Sequence, residues 1–218
     1  QVAHLDAPQD HAIFASLYNF SVKNKIKYLL TGGNYSTECI REPLDWIYHA
    51  SDVRQLKDIH NKFGSKPLKT FPTSDIFKHK IYYKFFKGLR VIRPLDYFPY
   101  NASEMMLELE EKYGFESYTH KHYESRFTRF FEGYWLPKKF GYDPRRTHFS
   151  SLILTRQITR EEALKELSNP PYDTNEMEKD FEFVAKKLGE TTDSLWEIMS
   201  GTNKTYKDYK NNMFAINI

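Results

Sequence analysis

The sequence has one cysteine, Cys39, in 218 residues, which excludes an internal disulfide framework and any cysteine-cluster metal site within the chain. It has no apolar run near the roughly 20 residues that cross a bilayer, and no signal-peptide pattern. These absences favour a cytoplasmic, reducing setting without membrane insertion. Charge of one sign is also scarce: the formal net charge is only +3, which gives no argument for nucleic acid or an anionic membrane. Repeats and low-complexity stretches are missing. Strand signals are few, namely residues 2–5, 26–30 and, more weakly, 89–95. The chain opens on Gln1 rather than Met. It is therefore expected to be the later part of a longer protein.

Aromatic residues and locally sorted charge are plentiful. Phe, Tyr and Trp make up 17% of the chain, enough to build a large core whose Tyr and Trp tips need polar partners. Between residues 138 and 160, Lys138, Lys139, Arg145, Arg146, Arg156 and Arg160 face a single acid, Asp143. The following helical stretch, 161–182, is mainly acidic. The basic patch is the better anion-site candidate.

Apolar spacing predicts a helix over 10–24, with Ile13, Phe14, Leu17, Phe20 and Val22 inward, leading into the strand 26–30. Ser51 is positioned to cap a helix stopped by Gly64. Asn101 with Glu104, and Thr159 with Glu162, have capping-box spacing. Met177, Phe181, Val184 and Leu188 form a stripe closed by Gly189. Helix followed by a short, evenly apolar strand is the alternation of a parallel sheet buried on both faces, so the chain reads as α/β with a predominantly helical second half. One domain with a helical extension is expected. The last residues, 201–218, read as a polar, poorly packed tail.

Two stretches carry chemistry. In "KYLLTGGNYSTECIRE" the strand ends in Thr31, Gly32, Gly33 and Asn34, with Glu38 following. Such a loop at the carboxyl end of a parallel strand suits a ligand that needs close backbone approach, and it equally suits an ordinary turn capped by Asn. It lacks the lysine and spacing of a P-loop. In "YTHKHYESRFTRFFEGYWLPKKFGYDPRR", residues 118–146, Phe127, Phe130, Phe131, Tyr134 and Trp135 share a helix face that Pro137 is expected to end. Ser125, Thr128, Arg129 and Glu132 share another. His120, His122 and Glu124 alternate, as metal ligands on a strand do, although no second cluster completes a metal set. His122 and Glu124 are also candidates for acid or base work. Lys138, Lys139, Arg145 and Arg146 are either a diphosphate clamp or a solvated basic surface.

Taken in order, "YLLTGGNYSTECI", "LKTFP", "LDYFPY", "KHYESRFTRFFEGYWLPKKFGYDPRR" and "TREEALKEL" resemble the bacterial N-acetyl sugar amidotransferases of surface-polysaccharide synthesis, the WbpG type, from about Asp6 to Met199. The resemblance implies a PP-loop ATP pyrophosphatase fold, adenine nucleotide alpha hydrolase-like and Rossmann-like, of which this chain holds a partial parallel sheet. Residues 1–100 are then the remainder of the nucleotide-binding domain and 101–200 a helical sugar-nucleotide-binding region. Thr31, Gly32, Gly33, Asn34 and Glu38 match the family's second nucleotide-binding loop. The implied reaction converts an N-acetyl group of a nucleotide-linked sugar, in O-antigen lipopolysaccharide, to an acetamidino group. It uses ATP with Mg2+, and ammonia from partner glutaminase and synthase-like subunits. For that chemistry His122 and Glu124 are the candidates for catalysis, and Lys121, Ser125, Thr128, Lys139, Arg145 and Arg146 the candidates for binding the substrate phosphates or sugar acid.

The family's S-G-G-x-D-S loop for pyrophosphate does not occur in these 218 residues, so no ATP turnover by this chain alone is expected. Two other functions stay open: a non-catalytic sugar-nucleotide-binding or glutaminase-docking module, and a metal-dependent hydrolase using His120, His122 and Glu124. A homo-oligomer is compatible with either.

Overall fold

The computed structural model describes residues 2–46, 49, 51–116 and 125–216. In chain order its main elements are α1 (Ala7–Lys23), β1 (Tyr28–Leu30), α2 (Tyr35–Glu38), α3 (Val53–Phe63), a π-helical segment (Lys78–Phe86) and β2 (Arg90–Ile92). Then come α4 (Ala102–Tyr113), α5 (Arg126–Phe130), a second π-helical segment (Phe131–Phe140), α6 (Arg145–Leu154), α7 (Arg160–Ser168), α8 (Thr174–Leu188), α9 (Thr192–Ser200) and α10 (Met213–Ile216). The chain divides into a sheet unit, Val2–Gly32, Pro43–Pro94 and Lys204–Ile218, and a helical unit, Gly33–Glu42 and Leu95–Asn203. Mostly helical with a small parallel sheet, the described structure is consistent with an α/β class.

In the sheet unit β1 and β2 pair in parallel, with Tyr28 opposite Arg90, Leu29 opposite Val91 and Leu30 opposite Ile92. The N–H of Thr31 extends the ladder by donating to the Ile92 carbonyl at 3.0 Å. The expected strand at 2–5 is only an isolated bridge, Val2 to Lys204. The expected burial of both sheet faces is also corrected: Leu30 is 71% exposed and Tyr28 57%. Two strands of three residues offer too little surface for helices to cover both sides.

The apolar stripe of α1 is likewise turned outward, with Ile13, Phe14, Leu17 and Phe20 exposed while His11, Ala15 and Ser21 are buried. A hydrogen-bond network fixes that choice of face. His11 Nε2 accepts from the Ser74 N–H at 3.3 Å, Ser74 Oγ donates to the Tyr83 hydroxyl at 3.0 Å, and that hydroxyl donates to Asn19 Oδ1 at 2.9 Å. Buried polar groups must keep their partners, so the network orients α1 more strongly than its apolar side chains do.

Tyr18 stacks on Tyr83 at 5.2 Å, and the His79 ring meets Tyr18 edge-on at 4.6 Å. Burial, then the neighbouring His49 and His11, push the His79 imidazole down to about 4. An unfolded histidine titrates near about 6.5, so the unfolded chain binds this proton more readily than the folded one. The stability that depends on neutral His79 is therefore complete above that pH and is lost as pH falls toward 4. Melting temperatures measured from pH 7 to pH 4 should fall less steeply for His79→Gln than for the unsubstituted chain. Parallel curves would refute the assignment.

Asp52, not Ser51, caps α3: its Oδ1 accepts from the Gln55 N–H at 3.1 Å, while Ser51 Oγ sits 2.8 Å from His49 Nδ1. The other oxygen of Asp52 accepts from the Asn212 N–H at 2.7 Å, and Asp58 Oδ2 accepts from the Lys210 N–H at 3.0 Å. Residues 204–216, expected to be poorly packed, are thereby bound along α3, and Met213 is buried. Polar composition concealed this because the bonds come from backbone N–H groups, which every residue except proline carries.

The helical unit is centred on Phe130, Phe131, Trp135, Leu136, Phe181, Val184, Leu195 and Met199, all buried. Phe130 is the hub, with Trp135, Tyr134, Tyr172 and Phe181 ring centroids within 6.4 Å. Pro137 does not end this helix, contrary to expectation. The backbone widens to a π register over Phe131–Phe140 and stops at Gly141, whose φ of 68° is left-handed. Widening lets proline's missing N–H and its ring be accommodated where an α-helical ladder would break. The capping box of Thr159 and Glu162 on α7 and the Asn101 cap on α4 are formed as their spacing predicts.

Candidate functional site

The chain passes from the sheet unit to the helical unit between Gly32 and Gly33, so the glycine loop contributes Thr31 and Gly32 to one and Gly33, Asn34 and Glu38 to the other. Asn34 is buried and extended, and its side-chain oxygen accepts from the Thr37 N–H at 2.8 Å and the Thr37 hydroxyl at 3.1 Å. It is the N-cap of α2. Glu38 is the exposed last residue of that helix.

Within the helical unit, α2 and the residues after it lie antiparallel along α6. Thr155 Oγ1 and Gln157 Nε2 both donate to the Ser36 carbonyl, at 2.7 and 2.9 Å. The Ile40 N–H donates to Ser151 Oγ at 3.0 Å, and Ser151 is fully buried. Gln157 Oε1 accepts from the Ala102 N–H at 2.9 Å, which ties in the start of α4, and Asp96 Oδ1 accepts from the Tyr35 N–H at 2.6 Å. Farther along, Glu42 hydrogen-bonds the buried Tyr142 hydroxyl, which also pairs with Thr147 Oγ1 at 2.8 Å. Burial raises the Tyr142 phenol above its ordinary range; the Thr147 bond opposes that shift, and Glu42 adds to it. The segment after the two glycines and the helix that begins with Arg145 and Arg146 thus form one hydrogen-bonded layer.

The basic residues divide by use. Arg145 is engaged on every side: Asp143 accepts from its Nε and Nη2, and the Glu166 and Asn169 carbonyls accept from Nη1 and Nη2. Arg146 is exposed. Lys139 donates to the Met199 and Gly201 carbonyls at 2.9 and 2.7 Å, a cation on the C-terminus of α9, and burial lowers its pKa. Ser125 caps α5 by accepting from the Thr128 N–H at 3.3 Å. Lys121, His122 and Glu124, with His120, lie outside the described residues. Among the described residues no group of three or more His, Cys, Asp or Glu is placed to hold a metal ion.

A second charged cluster was missed in the sequence. Asp180, on α8, is fully buried; its Oδ1 accepts from Arg126 Nε, and its Oδ2 accepts from Arg129 Nη2 at 2.7 Å and from the Tyr172 hydroxyl. Burial opposes the Asp180 charge, but the bonds from Tyr172, Arg126 and Arg129 hold its carboxyl below the usual range. Arg126 also lies over the Phe183 ring at 4.2 Å. The signal was available: residues 177, 180, 181 and 184 fall on one helix face, so a carboxylate on the core stripe of α8 required buried cationic partners.

Residues 124–218 match the family described as LPS biosynthesis protein WbpG-like, C-terminal domain. The match covers less than half of the chain and is a likeness to a family of lipopolysaccharide biosynthesis. No curated protein and no solved structure matches the chain. The matched segment begins within the stretch 118–146, contains the Asp180 cluster and runs through α10. No helix among the described residues is long and apolar enough to cross a membrane.

Proposed function

We propose that the chain is the sugar-nucleotide-binding part of an ATP-dependent amidotransferase that turns an N-acetyl group of a nucleotide-linked sugar into an acetamidino group. Its main support is the joined layer of α2 and α6, which brings the segment after Gly32 and Gly33 onto the helix begun by Arg145 and Arg146. In the reaction proposed, the acetamido oxygen attacks the α-phosphorus of ATP and pyrophosphate leaves. Ammonia then adds to the activated carbon, AMP departs with the original oxygen, and a proton is lost. An amide oxygen is a poor leaving group until it is adenylated, and cationic donors stabilise the phosphate charge that develops. Exposed Arg146 is the basic residue of α6 proposed to meet that charge.

Calorimetry with a UDP-linked N-acetyl sugar tests the reading, followed by addition of ATP, magnesium and ammonium chloride with detection of AMP. The expected result is binding without AMP, since no S-G-G-x-D-S loop occurs in the sequence. Failure to bind would overturn the proposal. AMP formation by this chain would overturn the requirement for that loop. The second reading is a non-catalytic binding module. Under it the sugar nucleotide binds, but a protein supplying the missing loop elicits no AMP.

A further inference from the structure

We propose that Arg126 and Arg129 form an oxyanion site for a diphosphate group, built on the buried carboxylate of Asp180. The inference stands on this cluster and is independent of the amidotransferase reading.

One carboxylate balances one guanidinium, and here two share it, so the cluster keeps a surplus positive charge. Every oxygen of Asp180 is already used, by Arg126 on one side and by Arg129 and Tyr172 on the other. The arginines are not used up. Arg126 is 40% exposed at its side chain and Arg129 35%. Arg126 Nη2 also donates to the Lys179 carbonyl at 3.2 Å, and each guanidinium still has more N–H groups than these bonds consume. Glu176 also acts on Arg129, and it shares its charge with Lys179 at 3.2 Å. Lys187 sits 5.6 Å from the Phe183 ring that Arg126 covers, adding a further cation.

The surroundings set the strength and shape of the site. Tyr172, Phe130 and Phe181 form a buried aromatic floor, where charge is less screened than on an open surface. Asp180 holds the two guanidiniums on its two separate oxygens, which brings two cations onto one carboxylate. Each has N–H groups left for one phosphoryl group, which suits the two charged centres of a diphosphate better than a lone carboxylate.

The test is calorimetric titration of the full chain with inorganic pyrophosphate at low salt, with glucuronate as the carboxylate probe. Pyrophosphate should bind and glucuronate should bind much more weakly. Arg126→Gln and Arg129→Gln should each weaken pyrophosphate binding at least about tenfold, as loss of a charge-assisted contact does. Lys112→Gln, on α4 and paired with Glu108, should leave it unchanged. Arg126→Lys keeps the charge beside Asp180 but removes the fork, so it tests the site even if the glutamine variants fail to fold; it too should weaken binding. Unchanged affinity in folded Arg126→Lys, absence of pyrophosphate binding, or equal binding of glucuronate would each overturn the proposal.

Discussion

Asp180→Asn is expected to destabilise the helical unit by about 3–5 kcal/mol, the cost of removing one member of a buried charge set and leaving the others uncompensated. The side chain keeps its shape, so little of the loss comes from packing. What changes is that Arg126 and Arg129 lose their shared counter-charge, the Tyr172 hydroxyl loses a charged acceptor, and the new amide N–H group points at a guanidinium. Trp135 and Trp196 both belong to this unit, and Trp196 stacks on Phe181 at 4.3 Å, so tryptophan fluorescence during urea unfolding reports the event. A loss below about 1 kcal/mol would place the pair among surface ion pairs and refute the reading. The sign of the pH dependence follows from the lowered carboxyl. Its stabilisation is present above the ordinary carboxylate pKa of about 3.9 and is lost as pH falls through and below it. The gap between the two proteins should therefore close in acid.

Phe130→Ala should cost about 3–5 kcal/mol, the lost transfer energy plus the cavity that remains. The ring is 1% exposed and touches four other aromatic rings, none of which can collapse into the gap without losing its own contacts. Phe127→Ala, on the same predicted stripe but only half-buried and stacked on Phe131, should cost clearly less. Equal losses in urea titration would mean that the core is centred elsewhere. Because Phe130 packs on Tyr172, and Tyr172 donates to Asp180, the double variant should depart from additivity.

The sequence disclosed those features whose cause is local. Caps at Asn101 and Thr159, the glycine stop after α8 and the aromatic stripe from Phe127 to Trp135 depend on residues within a few positions of one another, and all are present. Features governed by distant partners were harder to read. The periodicity of α1 pointed to the wrong face because His11 finds Ser74 across 63 positions. The C-terminal residues appeared loose because the oxygens that bind them sit on α3. The glycine loop was visible as a loop, but not that Asn34 would spend its oxygen on a cap or that Ser36 would be bound by Thr155 and Gln157. Lys139 looked like a free cation because its acceptors are backbone carbonyls, which leave no trace in side-chain composition, and Arg145 adds two such carbonyls to its local partner Asp143.

The π-helical stretch before Gly141 has one more consequence. A π turn holds one residue more than an α turn over the same rise, so it behaves as a single-residue insertion absorbed inside a helix. Phe131, Trp135 and Lys139 all lie within this stretch, so its wider turns set the spacing between the buried rings and the lysine that donates to the end of α9. Taking one residue out between Trp135 and Lys139 would leave the rings or the lysine out of place. The number of residues in the stretch, as much as their side chains, therefore sets where its basic end points.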